Sequence, residues 1–305
     1  VTAPPTPKKI KLAGMGVGPR DDLAWVQVAW EGMQKAKEQY GAEIAFSEMV
    51  SPPEYEKVFR DYAALGYDVI AGFGFMFAEP AWAVADEYPE ITFVYTCTPD
   101  YPPVDNVVAP IYQEQEGGAV VGVAMGLMTK TNKVGVVIGD VGPCCNSFAH
   151  GIAHGLKLVN PDATLLVVYA GAWADPAKGK DLAMGMIEAG ADVLTHYADG
   201  TGLGVITAAK EKGIYWVGCF RDQSELAPDS CLGSYVTDHW EFMKQIMEAY
   251  LRGQLKKPWI FRADFNSGIS RWAPGPAIPN DVQEKVEKFI YGMITNKPVP
   301  RDESK

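Results

Sequence analysis

The sequence predicts an α/β protein of two doubly wound lobes, and three observations carry that prediction. Short runs rich in Val, Ile and aromatic residues alternate with longer amphipathic stretches along almost the whole chain, the pattern of parallel sheets covered by helices. The pattern then occurs twice: KIKLAGMGVGP near residue 9 matches NKVGVVIGDVGP near 132, GYDVIAGFG matches GADVLTHYA, and EITFVY matches GIYWVG. An offset of roughly 120 residues is too long for a solenoid unit and means two similar domains. Finally, 305 residues with 48% hydrophobic and 21% charged side chains suffice for two separate cores.

Taken in order, the strands are expected at Ile10–Val17, Glu43–Met49, Asp68–Phe73, Thr92–Cys97 and Val107–Tyr112, each a β-branched or aromatic run bounded by turn residues. The second set is Lys133–Gly139, Thr164–Tyr169, Asp192–Tyr197, Tyr215–Cys219 and Leu232–Val236. Helices are expected over Leu23–Tyr40, with a core stripe of Leu23, Val26, Trp30, Met33 and Tyr40, over Asn146–Val159, and from about His239 to Arg252. The last of these and the segment Pro258–Arg271 follow both repeats, so the chain crosses between lobes more than once. The expected lobes are 1–113 with 239–266 and 114–238 with 267–305, joined by a multi-strand hinge, with the ligand cleft between them where the carboxy ends of both sheets meet.

Composition removes several function classes. A net charge of -11 and the lack of a basic stripe interleaved with aromatics argue against nucleic acid. No run approaches the ~20 apolar residues of a membrane span, and VTAPPTPKK at the start lacks the apolar core of a signal peptide. That start resembles the tether following an export signal or lipid-anchor cysteine, although any chosen chain boundary would read alike. The five cysteines show no metal-ligand or CxxC spacing. Cys219 and Cys231 flank a polar loop and are either a disulfide in an oxidising compartment or two small buried residues; Cys144 and Cys145 are adjacent, and Cys97 is alone.

Catalytic constellations are missing: there is no GxSxG, HExxH, P-loop or kinase set. No catalytic residue, metal or cofactor is expected. His150 and His154 share a helical face without an acidic third ligand and read as solvated or capping residues. Gly14, Gly16 and Gly18 follow the first strand, but Pro19 stands where a dinucleotide loop needs its third glycine, so a strand-to-helix turn explains them.

Aromatics dominate the expected cleft. Trp25 lies off the core stripe in the first turn of its helix, and Trp173 sits in the AGAWADP loop of the second half; facing each other, they would sandwich a planar ligand, each aromatic pair adding about 0.5–1.5 kcal/mol beyond area burial. Phe75, flanked by glycines in GFGFMF, is the third aromatic candidate. Asp22, Asp140, Asp199 and Asp238 follow strands and either orient the ligand or cap helices.

These segments together resemble the basic membrane protein family of substrate-binding lipoproteins, which includes purine nucleoside receptors of ABC importers. The resemblance spans nearly the whole chain and rests on DDLAWVQVAWEGM, YDVIAGFGF, ADEYPEITFVY, QEGGAVVGVAMGLMTKTNKVGVVIGD, FAHGIAHGLKLVNPDA, GAWADPAKGKDLAMGMIEAGADVL and GIYWVGCFRDQ. It implies the type I periplasmic binding fold, an extracytoplasmic location, lipid anchoring or secretion, and an ABC permease as partner. It also implies that Trp25 and Trp173 stack on a base and that Asp199 lies in the cleft. The family's ribose clamp, an acid before Asp-Gln and a lysine after the next strand, reads here as Phe220 in GCFRDQ and Asp238 in SYVTDHW, so the clamp is lost. A purine nucleobase is therefore expected ahead of a nucleoside. A sugar or another heterocycle such as a flavin remains the alternative within the same fold, ahead of a two-domain Rossmann-like enzyme or a repressor effector domain.

Overall fold

The computed structural model describes residues 9–96, 105–254, 262–295 and 299. The readings that touch residues 1–8, Cys97, the 258–261 stretch and the chain end after Thr295, apart from Val299, lie outside them.

In the first half β1 (Lys11–Met15), α1 (Trp25–Tyr40), β2 (Glu43–Ser47), α2 (Tyr55–Ala64), β3 (Val69–Gly72), α3 (Ala78–Ala85), β4 (Thr92–Tyr95) and β5 (Val107–Val108) alternate. They build one parallel sheet in the order β2-β1-β3-β4-β5. After β6 (Ile111–Tyr112) the second half runs α4 (Glu114–Met128), β7 (Lys133–Ile138), α5 (Pro143–Val159), β8 (Thr164–Tyr169), α6 (Pro176–Glu188), β9 (Val193–Tyr197), α7 (Asp199–Lys212), β10 (Tyr215–Phe220) and β11 (Cys231–Thr237). Then come α8 (His239–Leu251), β12 (Arg262–Ala263), β13 (Ser270–Pro274) and α9 (Asn280–Thr295). The second sheet has the order β13-β11-β10-β9-β7-β8 and is parallel except for β13.

Each lobe thus uses the same winding, with its first strand flanked by its second and third. That is the structural form of the internal repeat: Lys11 opens β1 and Lys133 opens β7. The strand expected at Val107–Tyr112 is in fact two. Pro110 has no N–H to continue a ladder, and on either side of it β5 pairs with β4 while β6 pairs with β12. The β6–β12 pair lies where the chain passes between lobes; α8 returns from β11 to pack on α1, and β13 goes back to the second sheet. The fold is that of the periplasmic binding proteins.

Two expectations about α1 are corrected. It starts at Trp25, not Leu23, and Trp25 is on the buried face with Val26, Ala29, Gly32, Met33 and Ala36, while Trp30 and Tyr40 are half-buried. The reason is tertiary: α1 is covered by its sheet and also by α8, whose first turn approaches Gly32 so closely that a Cβ there would stand 3.1 Å from the His239 backbone. Trp30 instead has the Arg20 guanidinium over its ring at 4.9 Å. The helix expected from Asn146 begins earlier, at Pro143, where proline's missing N–H costs nothing, and so takes Cys144 and Cys145 into its first turn.

Candidate functional site

All the sequence-expected aromatics at the cleft come from the carboxy ends of strands, and the fold brings them to one cavity. It has a volume of about 310 Å³ and is lined by Val17 from the loop after β1, Trp25 from α1, Phe73 to Met76 after β3, Cys144 from α5, Trp173 after β8, and Tyr197, Asp199 and Phe220 at the ends of β9 and β10.

The lobes meet through aromatic pairs crossing the cleft. Trp25 from the first lobe packs edge-on against Phe220 from the second at 5.2 Å, and Phe75 meets Trp173 at 6.4 Å. Trp25 and Trp173 line the same cavity, but each has its ring partner in the opposite lobe rather than in the other tryptophan. Trp25 is held rigidly: its Nε1 donates to the Phe73 carbonyl at 3.2 Å, and His239 lies at 4.2 Å, nearly perpendicular. Trp173 lies flat on Gly139 and Phe75 on Gly142, positions where any Cβ would overlap the ring.

Polar contacts lock the same boundary. Gln223, after β10, donates from Nε2 to the Leu23 carbonyl of the first lobe at 2.9 Å. Its Oε1 accepts from the Cys219 N–H and faces His196 Nε2, both at 2.9 Å, which ties the strand end carrying Phe220 to the opposite lobe. Arg221 reaches Glu31 of α1 at 3.8 Å.

The aspartates separate by role. Asp22 is buried, and its carboxylate accepts from the N–H groups of Ala24, Val26 and Gln27 at 2.9–3.1 Å, anchoring the start of α1 beside the cavity. Burial nevertheless raises its pKa, offset in part by those bonds and by Arg221. Asp199 lines the cavity, and burial followed by the nearby charges of Asp22 and Cys144 pushes its carboxyl well above the usual range. Asp238 does not reach the cavity: it caps α8, accepting from Trp240 N and Glu241 N at 2.9 and 3.1 Å. Asp140 is exposed and accepts from Val141 N, also away from the cavity lining. Three non-glycine residues with left-handed backbone, Leu23, Asp199 and Phe220, border this region, a concentration of strain that functional sites tend to hold.

Tyr197, Cys144 and Gln223 complete the site without having been singled out in the sequence. The signal for Tyr197 was its position as the last residue of a predicted strand. Behind the wall, Glu114 is fully buried and its pKa rises to about 8 through desolvation; the hydroxyls of Tyr197 and Tyr235 lower it, but neither carboxylate oxygen has a hydrogen bond of good geometry among the described residues. Cys144, Cys145, Cys219 and Cys231 are all buried thiols outside any disulfide. No disulfide joins Cys219 to Cys231, because the register pairs Cys219 with Tyr235 and Cys231 with Trp216, at opposite ends of the β10–β11 ladder. No group of three potential metal ligands forms among the described residues, and no described helix is long and apolar enough to cross a membrane.

The chain is 34% identical over 216 residues to a CD4+ T-cell-stimulating antigen of Listeria monocytogenes, a match covering 67% of this chain and 60% of that relative's length. A Haloferax volcanii protein with a candidate assignment as an ABC transporter glucose-binding protein is 28% identical over 269 residues, 87% of this chain and 67% of the relative. A purine-binding protein of Brucella abortus is 27% identical over 288 residues, 92% and 80% of the two chains. In fold, a solute-binding protein of an Aeropyrum pernix ABC transporter system superposes with a TM-score of 0.87 at 22% identity, covering 96% of this chain and 94% of its own. The family model of PnrA-like ABC transporter substrate-binding proteins matches residues 9–289, and the chain belongs to that family.

Proposed function

We propose that this protein is the extracytoplasmic receptor of an ABC importer and captures a purine nucleobase by closing its two lobes around aromatic side chains. The observation that carries the reading is the interlobe cavity of about 310 Å³, walled by Trp25, Phe75, Trp173, Tyr197 and Phe220 with Asp199 as its buried carboxyl. Flat rings are held there by stacking and edge contacts, and Asp199 accepts from a ring N–H or exocyclic amine. No bond is made or broken: the closed, loaded form is what the permease receives.

The free base is favoured over the nucleoside on two grounds. Phe220 stands where the family's nucleoside binders have an acid for the sugar hydroxyls, and a ribosyl group would leave its hydroxyls against an apolar ring. Asp238, the other residue near the lost clamp, is committed to the α8 cap. The Brucella relative's purine binding agrees with this choice. A pyranose is the second reading, favoured by the Haloferax relative and by the suitability of tryptophan faces for sugar rings.

Calorimetric titration of the refolded protein with adenine, adenosine and D-glucose tests the proposal, refolding being needed to strip copurified ligand. Adenine is expected to bind most tightly, and Trp173→Ala to weaken it about tenfold or more, in line with ~1–2 kcal/mol for a lost ring contact. Glucose binding with no response to adenine would replace the purine reading.

A further inference from the structure

The cleft wall holds one buried carboxyl group, Asp199. Asp199 is only 3% exposed, lines the cavity, and receives no hydrogen bond or ion pair from any described residue. Asp22, also 3% exposed, faces it from the other lobe: a Cβ on Gly200, next to Asp199, would stand 4.0 Å from the Asp22 Cβ. The three helix N–H groups that satisfy Asp22 do nothing for Asp199.

Among the described residues, the groups that act on the Asp199 carboxyl, Asp22 and Cys144, include no cation. From α5 the groups acting on this region are Cys144 and Cys145, from β10 Cys219, and from α4 Glu114 behind those thiols, all neutral or negative. Arg221 acts on Asp22 but is drawn to Glu31. His196 and His239 are fully buried and held neutral, their pKa lowered to about 4 by desolvation. Six of the other lining residues, Trp25, Phe73, Phe75, Trp173, Tyr197 and Phe220, are aromatic, and ring faces attract positive charge. A buried carboxyl walled largely by aromatic rings is an environment that favours a cationic partner over a neutral one.

We infer that the cleft closes on one positive equivalent at Asp199: a flat heterocycle with a cationic ring is held in preference to its neutral isostere, and a neutral ring is held with uptake of a proton from solvent by Asp199. This rests on the reading of the cleft as a heterocycle receptor and names the charge class of its ligand. In the open form water solvates Asp199; closure removes that water, and either the ligand or a proton must replace it.

The experiment is titration calorimetry at pH 7 with four probes: 9-methyladenine, the permanently cationic 7,9-dimethyladeninium, quinoline and N-methylquinolinium. Each is run in two buffers of different ionisation enthalpy, so that proton uptake is read directly. The expected result is tighter binding of each cation than of its neutral isostere by about tenfold or more, with about one proton taken up for a neutral ring and none for a cation. Asp199→Asn should abolish both the preference and the uptake; if that variant does not fold, the proton count on the unmodified protein decides alone. Tight binding of neutral 9-methyladenine without proton uptake, and no tighter binding of its cation, would keep the purine reading and overturn this inference. Binding of N-methylquinolinium but of neither purine would uphold the charge class and remove the purine; silence from all four probes overturns both.

Discussion

A fully buried carboxyl group favours its protonated form, and Glu114 is in that position. Its folded pKa of about 8 lies above its ordinary value, so the folded state binds more protons than the unfolded state between the two. The stability it contributes is complete below the unfolded pKa and is lost as pH rises through about 8. Denaturant titrations from pH 5 to 9 should show the native protein losing on the order of 4 kcal/mol relative to Glu114→Gln over that window; parallel profiles would mean that Glu114 finds a donor in solution. At the same scale, Gln223→Ala strips partners from the buried Cys219 N–H and from His196 and removes the only bond described between Gln223 and Leu23. A loss of about 1–3 kcal/mol in stability and a several-fold weaker ligand complex are expected, read by chemical denaturation and calorimetry.

Between elements, α4 and α5 make the closest helix pairing in the second lobe. Gly118 and Gly122 of α4 face the carbonyls of Phe148 and Ile152, and Gly151 and Gly155 of α5 face those of Gln115 and Ala119, with no room for a Cβ at any of the four. The spacing of four puts each pair on one face, so the backbones approach without side chains between them. This contact fixes the start of α4, and Glu114 with it, beneath the cavity wall, and it holds Cys144 in the lining. Gly122→Val should therefore cost more than about 2 kcal/mol in thermal or denaturant unfolding, whereas the same change at Gly185, where a Cβ meets nothing within 4 Å, should be close to neutral or slightly stabilising, because valine is the better helix former. Equal costs at the two sites would argue that the helices pack more loosely than described.

At the scale of the whole molecule, the lobes are joined near the cleft, among the described residues, by the Gln223–Leu23 bond, the long Arg221–Glu31 pair and the aromatic crossings Trp25–Phe220 and Phe75–Trp173. On the proposed reading this boundary opens when no ligand fills the cavity, with the β6–β12 region as the axis. X-ray scattering on refolded, ligand-free protein is predicted to give a larger radius of gyration than the same sample saturated with its ligand, and Phe75→Ala to shift the balance toward the open form. An identical radius in both states would count against capture by closure.

What the sequence determined by itself was everything governed by local period and by repetition. The alternation of apolar strands with amphipathic helices, the doubled lobe and the position of Trp25, Phe75, Trp173, Asp199 and Phe220 at strand ends were legible because each depends on neighbours within a few residues and on the rule that ligands sit at the carboxy ends of parallel strands. The tertiary structure decided the rest. Asp238 was indistinguishable from a ligand-binding aspartate until its carboxylate was seen to accept the α8 N–H groups. Trp25 changed from an off-stripe platform to a buried, fixed wall because α8, more than 200 residues later, covers α1. The meeting of Asp22 with Asp199, and of Gln223 with Leu23, has no trace in the chain's pattern: it exists only because two lobes close on each other, and burial between them sets the charge that the cleft can hold.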